Sequence, residues 1–140
     1  MEYLIDTDIT IDYLKGKYAL DAKFDSVGVD NIFLSEITIA ELEYGAAKSS
    51  NREKHFDKIA TLKSRFHVLP IASALRTYGI ERFRLEKLGK RIEDFDLLIA
   101  TSAVANNMTL VTGNEKHHAR VEHIVIENWR LPEYNQFIQD

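Results

Sequence analysis

Short apolar runs alternate along this chain with longer segments in which apolar residues recur at threes and fours. Tyr3-Leu4-Ile5 has no polar face and stops at Asp6, the pattern of a strand buried on both sides of a parallel sheet. From Asp8 to Lys15, the residues Ile9, Ile11, Tyr13 and Leu14 predict a short helix, with Asp8 as its cap and Gly16 as its stop. Residues 19–27 predict a second helical piece through Leu20, Phe24 and Val27, and residues 31–35 a second strand. Ile37, Ala40, Tyr44 and Ala47 stripe a helix that ends near Lys48-Ser49-Ser50. Residues 51–65 repeat the helical pattern as a surface helix antiparallel to it, with Phe56, Ile59 and Leu62 inward and Arg52, Lys54 and Lys58 outward.

His67-Val68-Leu69 reads as a short strand ended by Pro70, and Ala72 to Leu88 as a long helix stopped by Gly89. Residues 96–105 are small or apolar nearly all the way round, which predicts a central helix pressed against the sheet. Thr109-Leu110-Val111 is a fourth strand with Thr112-Gly113-Asn114 as its exit loop. Ile124-Val125-Ile126 is a fifth, after a polar, His-rich turn, and residues 128–140 form a docked or frayed end. Strands separated by helices require parallel crossovers, so the expectation is an α/β fold in which helices cover both faces of a mostly parallel sheet of four to five strands.

At 140 residues the chain has the size of one domain and can bury a core without staples. It has no cysteine, which excludes disulfides, thiolate metal sites and thiol chemistry. No apolar run approaches the roughly 20 residues of a membrane helix, and the N-terminus lacks a secretory layout. A cytoplasmic protein with no membrane partner is expected. With 22 Asp plus Glu against 18 Lys plus Arg, the sum does not advertise attraction to nucleic acid. Carboxylates gathered around bound cations would invert that local field.

That possibility gains weight from where the acids fall. Asp6 ends strand one, Glu41 lies in the first turns of the helix after strand two, Asp96 opens the central helix, and Thr112 and Asn114 leave strand four. In a parallel sheet all of these open onto the rim where ligands of such folds gather. Carboxylates brought together there repel unless a cation sits among them, and oxygen ligands favour magnesium or manganese. Such an ion suits phosphodiester hydrolysis by a metal-activated water. Each residue also has a purely structural role open to it. Thr38-Ile39-Ala40-Glu41 fits a capping box, Asp94 and Asp96 complement a helix start, and Asp8 and Asn114 are ordinary cap or turn residues. Asp94 is read as a cap and Asp96 as the ligand.

The arrangement resembles the PIN domain family, and within it the VapC-type toxins of toxin–antitoxin pairs. The resemblance spans nearly the whole chain. It rests on Leu4-Ile5-Asp6-Thr7-Asp8 with Ile11-Asp12-Tyr13-Leu14, on Ser35-Glu36-Ile37-Thr38-Ile39-Ala40-Glu41-Leu42 with Tyr44-Gly45, and on Asp96-Leu97-Leu98-Ile99-Ala100. Leu110-Val111-Thr112-Gly113-Asn114 and Glu127-Asn128-Trp129 complete it. It implies a three-layer α/β/α nuclease that uses Mg2+ or Mn2+ to cut RNA, with Asp6, Glu41 and Asp96 as catalytic and metal-holding acids. Thr7, Asp8, Thr112 and Asn114 would support them. It also implies a homodimer and a cognate antitoxin covering the site, for which the helices over 37–47 and 51–65 could offer an apolar groove.

Three positions depart from the family pattern. Asp8 stands where relatives often have Asn, neutral Asn114 falls at a fourth acidic position, and His118 at a usual aromatic. His117, His118 and His123 are worth weighing as metal ligands, but their spacing fits no usual zinc pattern and solvated turn histidines are the better reading. Arg82, Arg84, Lys87, Lys90 and Arg91, with Lys48, Arg52 and Lys54, are candidates for contacting RNA phosphates.

Two rivals stand beside the nuclease. Asp6-Thr7-Asp8 also looks like the opening of haloacid-dehalogenase-type phosphatases, with Asp6 as nucleophile, although Glu41 would then have no task. A catalytically silent partner-binding module is the other, and it leaves three rim acids unexplained.

Overall fold

The three residues of β1 (Tyr3–Ile5) sit in the middle of a five-stranded sheet, and every other element is arranged around them. The computed structural model describes residues 1–134. In chain order, β1 is followed by α1 (Thr7–Leu14), α2 (Leu20–Val27), β2 (Ile32–Ser35), α3 (Glu36–Ala47), α4 (Arg52–Arg65) and β3 (His67–Leu69). Then come α5 (Leu75–Lys87), α6 (Asp94–Ala105), β4 (Thr109–Val111), α7 (Glu115–His118) and β5 (Ile126–Glu127). The strand order is β3-β2-β1-β4-β5 and every pairing is parallel. The chain winds from β1 through β2 to β3 on one side, then crosses to β4 on the other. The winding therefore reverses beside β1, where such sheets form their ligand crevice.

Alternation along the central strands divides the core into two layers. Leu4 and Leu110 face α6 and α5, packing with Leu85, Leu97, Ala100 and Ala103. Ile5, Leu34 and Val111 face the other way, onto Ile9, Phe24, Leu62 and Trp129. This is the expected α/β/α sandwich. In α6 the residues Leu97, Ile99, Ala100, Thr101, Ser102 and Ala103 are all buried, and Thr101 and Ser102 return their hydroxyls to Leu97 and Leu98 carbonyls of their own helix. Small side chains there let the helix lie close to the sheet, which fixes Asp96 near the end of β1.

Several boundaries differ from expectation. The segment from Ala72 opens as a single 3-10 turn (Ala72–Ala74) before α5 begins. The fifth strand forms two residues later than the hydrophobic run suggests. His123 adopts a positive φ of 67° and Ile124 closes a turn onto Val121, so pairing starts only at Ile126 opposite Leu110. The His-rich turn contains the short helix α7. The C-terminal segment is docked through fully buried Trp129 and a 3-10 turn at Pro132–Tyr134; the remainder of the predicted tail, 135–140, lies outside the described residues. Among the described residues, no helix is long and apolar enough to cross a membrane.

Candidate active site

Asp6 leaves β1 as the cap of α1, its Oδ1 accepting the Thr7 amide at 2.8 Å. The cap expected at Asp8 therefore lies two residues earlier. Asp8 instead accepts the amides of Ile9 and Gly113 and faces Arg130 at 3.8 Å. The other oxygen of Asp6, Oδ2, accepts the Thr112 hydroxyl at 2.8 Å and lies 3.0 Å from His118 Nε2. Both partners of that oxygen are buried, and Asp6 itself is 5% exposed. The Thr112 hydroxyl is in turn fixed by the Asn114 amide at 3.1 Å. Asn114 thus reaches the cluster through its backbone, and its side chain is exposed.

Glu41 is brought in from α3. Ser35, not Thr38, caps this helix by accepting the Ile37 amide, so the capping-box role for Glu41 does not arise. Its Oε1 accepts the Thr7 hydroxyl at 2.7 Å, and Thr38 donates to the same Thr7 oxygen at 2.9 Å. Asp96 sits in the first turn of α6, with its Oδ2 3.4 Å from His117 Nε2. Asp94 serves neither as cap nor as ligand. It accepts the Tyr78 hydroxyl at 2.9 Å and faces Arg82, tying the start of α6 to α5.

Ligand atoms of Asp6, Asp96 and His118 lie within 4.8 Å of one another. Glu41 stands beside them behind Thr7 and feels the charge of both aspartates. Burial pushes its carboxyl up, and Asp96 and Asp6 add to that against the Thr7 hydrogen bond. Burial, then the charge of Asp6, likewise raises Asp8 against the Gly113 amide and Arg130. Asp6 moves the other way. Burial is its largest single influence and would raise it, but His118, Thr112 and the Thr7 amide together hold it below the usual carboxylate range. Burial pulls His118 down, yet its bond to Asp6 and the charges of Asp6, Asp96 and Asp8 carry it above the ordinary imidazole value.

His118 is therefore no solvated turn residue, being 1% exposed and bonded to the central acid. The signal for it was weak. Only the one-turn reach of α7, in which His118 follows Asn114 by four residues, turns the ring inward. Arg130 was also missed. Its Nε pairs with buried Asp12 at 2.6 Å while its guanidinium packs against the Gly113 backbone so closely that a Cβ there would collide with it.

The donor set fits a divalent cation. Two acids and an imidazole converge, burial and neighbouring acids raise two more carboxyls nearby, and His117 Nε2, 3.4 Å from Asp96, is buried without a hydrogen-bond partner. The oxygens of Asp6, Asp96 and Glu41 would hold such an ion or its waters.

The Asp6–His118 pair carries a pH dependence that can be measured in EDTA. Between the ordinary values of Asp and His, about 4 and 6.5, both partners are charged in the folded and unfolded states and the pair contributes its full stability. With Asp6 lowered and His118 raised, that contribution is lost as pH falls through the depressed Asp6 value or rises through the elevated His118 value. The melting temperature of the protein minus that of His118→Phe should be largest between those limits and shrink above about 6.5. A difference that stays constant up to pH 9 would mean that the pair is not an ion pair.

Comparison with known proteins decides the family. The model described as "PIN domain" matches residues 3–124. The chain belongs to the PIN domain family. Within this family it is 36% identical to "Ribonuclease VapC2" of Rickettsia felis and 31% identical to "tRNA(fMet)-specific endonuclease VapC" of Shigella flexneri, in each case over 92% of this chain and 98% of the relative. The PIN fold also superposes on the structure of VapBC2 from Rickettsia felis bound to a promoter DNA fragment, with a TM-score of 0.85 and 35% identity, covering 92% of this chain and 99% of that one. For VapBC-1 from nontypeable Haemophilus influenzae the TM-score is 0.84 at 34% identity, covering 94% and 100%. The resemblance to VapC-type PIN domains read from the motifs is thereby borne out, and the phosphatase alternative falls with it.

Proposed function

We infer that this chain is a single PIN nuclease domain, the endoribonuclease toxin of a toxin–antitoxin pair, and that it hydrolyses RNA phosphodiester bonds with Mg2+ or Mn2+. The observation that carries this reading is the meeting of Asp6 and Asp96, with Glu41 beside them, at the reversal point of the sheet in a chain of this family. A bound divalent ion would supply an activated water and offset negative charge on the phosphate. The chain's own residues do the rest. Thr112 and Thr7 fix the two oxygens of Asp6, the Thr7 hydroxyl aims Glu41, and His117 faces Asp96. Of the basic residues considered for RNA, Arg82, Arg84 and Arg91 are engaged with Glu86, Asp94 and Glu81, which leaves exposed Lys87 and Lys90 before α6 as the better candidates.

An antitoxin partner is supported by an apolar cleft of about 230 Å³ between α1, α3 and α4, lined by Ile11, Leu14, Leu42, Gly45 and Ile59 and ending at Glu41. A helix laid there would reach the acids. Exposed Leu75, Ile80, Phe83 and Leu88 along α5, with Phe95 at the start of α6, support a homodimer through that surface. The site, the partners and a cytoplasmic location together make the reading one of an intracellular RNA-cutting toxin.

A side-by-side assay with RNA and a small phosphate ester, each with Mg2+ and with EDTA, tests the function. Cleavage of RNA alone, abolished by EDTA, is the expected result. No turnover of either substrate would leave a silent binding module.

A further inference from the structure

We propose that the metal site of this chain is not all-oxygen: the adjacent pair His117–His118 contributes an imidazole nitrogen to the ion held by Asp6 and Asp96, and this biases the site toward Mn2+ over Mg2+. The proposal rests on the metal-dependent reading above and deepens it by naming the ligand chemistry.

Two observations meet in α7. One ligand atom each of His118, Asp6 and Asp96 lies within 4.8 Å of the others, so the converging set is two carboxylates and an imidazole. Independently, the buried side-chain polar atoms that lack hydrogen-bond partners among the described residues are both histidine nitrogens of this pair, His117 Nε2 and His118 Nδ1. Of the two, His117 Nε2 is the one on the side of Asp96, where an ion could satisfy it, whereas His118 Nδ1 lies across the ring from the Nε2 that meets Asp6 and does not bear on the site. His117 Nε2 stands 3.4 Å from Asp96 Oδ2, and His118 Nε2 stands 3.0 Å from Asp6 Oδ2. Nitrogen and oxygen ligands each about 2.1 Å from one ion are roughly 3.0–3.4 Å apart at ordinary coordination angles. Each histidine–acid pair thus has the edge length of a coordination polyhedron, and for His118, whose Nε2 meets Asp6 Oδ2 in a hydrogen bond, binding the ion would release the shared proton to solvent. His117 is partly exposed, at 26% of its side chain, and its Nε2 is the buried nitrogen on the side of Asp96. Mg2+ demands a near-ideal octahedron of oxygens and keeps several waters, whereas Mn2+, which shares its preference for carboxylate, is a first-row transition ion that can add a nitrogen ligand.

The test is pulsed electron paramagnetic resonance on the full chain loaded with Mn2+, read for the nitrogen hyperfine coupling of a directly bound imidazole. Calorimetric titrations with Mn2+ and Mg2+ accompany it. The wild-type protein should show the nitrogen coupling. It should be lost in His118→Phe, in His117→Ala, or only in the double variant, according to which ring binds. Loss of the coupling should weaken Mn2+ by about tenfold and change Mg2+ by no more than about twofold. Wild-type protein alone decides the central point, so a variant that fails to fold does not obscure it. Mn2+ bound in an Asp96-dependent manner without nitrogen coupling overturns this proposal and leaves the metal-dependent nuclease standing. Absence of any Mn2+ or Mg2+ binding overturns both.

Discussion

Asp6→Asn is expected to fold and to lose RNA cleavage by more than about 100-fold, the largest functional effect of any single substitution here. The side-chain size is kept, and an Asn oxygen can still accept the Thr7 amide that Asp6 Oδ1 accepts at 2.8 Å. Its amide nitrogen would meet the Thr112 hydroxyl and His118 Nε2, both of which can accept in place of donating. What disappears is the negative charge in the centre of the cluster, the one that burial opposes and that His118, Thr112 and Thr7 together preserve. The metal-dependent rise in melting temperature should vanish with it, since an ion that binds only the folded state at 100 times its dissociation constant stabilises by about 2.7 kcal/mol. The measurements are RNA cleavage and thermal melts with Mg2+, Mn2+ and EDTA. Undiminished cleavage in Asp6→Asn would falsify the assignment of Asp6. A folded variant that keeps its metal-dependent shift yet loses cleavage would move Asp6 from holding the ion to orienting the attack.

The legible parts of this molecule were those set by periodicity and topology. The run Tyr3-Leu4-Ile5 could only be a doubly buried strand, and once strands alternate with helices, parallel crossovers bring Asp6, Thr112 and the start of α6 to one rim. Convergence of acids far apart in sequence followed from those rules. Side-chain partnerships did not. Asp6 and Asp8 are chemically equivalent choices for a cap, and only the placement of Gly113 and Arg130 draws Asp8 away from the centre. His118 carries no periodic signal of its own, because a four-residue helix is too short to show one. Arg130 joins Asp12 across most of the chain length, and no local pattern anticipates such a pair.

The strongest structural prediction concerns the segment least readable in sequence. Trp129→Ala should cost about 3–5 kcal/mol, a large share of the 5–15 kcal/mol typical of a domain. Trp129 is fully buried, with its ring 5.0 Å from Tyr3 and 5.7 Å from Phe24 and its Nε1 donating to Glu127 at 2.9 Å. It packs in the same layer as Ile5 and Val111, the residues that immediately precede Asp6 and Thr112. It is also followed by Arg130, whose bond to Asp12 anchors α1. A cavity at this position therefore loosens the strand ends that carry the acids as well as the core behind them. Because the chain has one tryptophan, urea unfolding of the variant must be followed by circular dichroism, not by intrinsic fluorescence. Trp129→Phe keeps most of the ring and gives up only the indole hydrogen bond, so its loss should be well under that of the alanine variant. If Trp129→Ala unfolds within about 1 kcal/mol of the parent, the C-terminal segment is not part of the core, since a fully buried ring cannot be removed that cheaply.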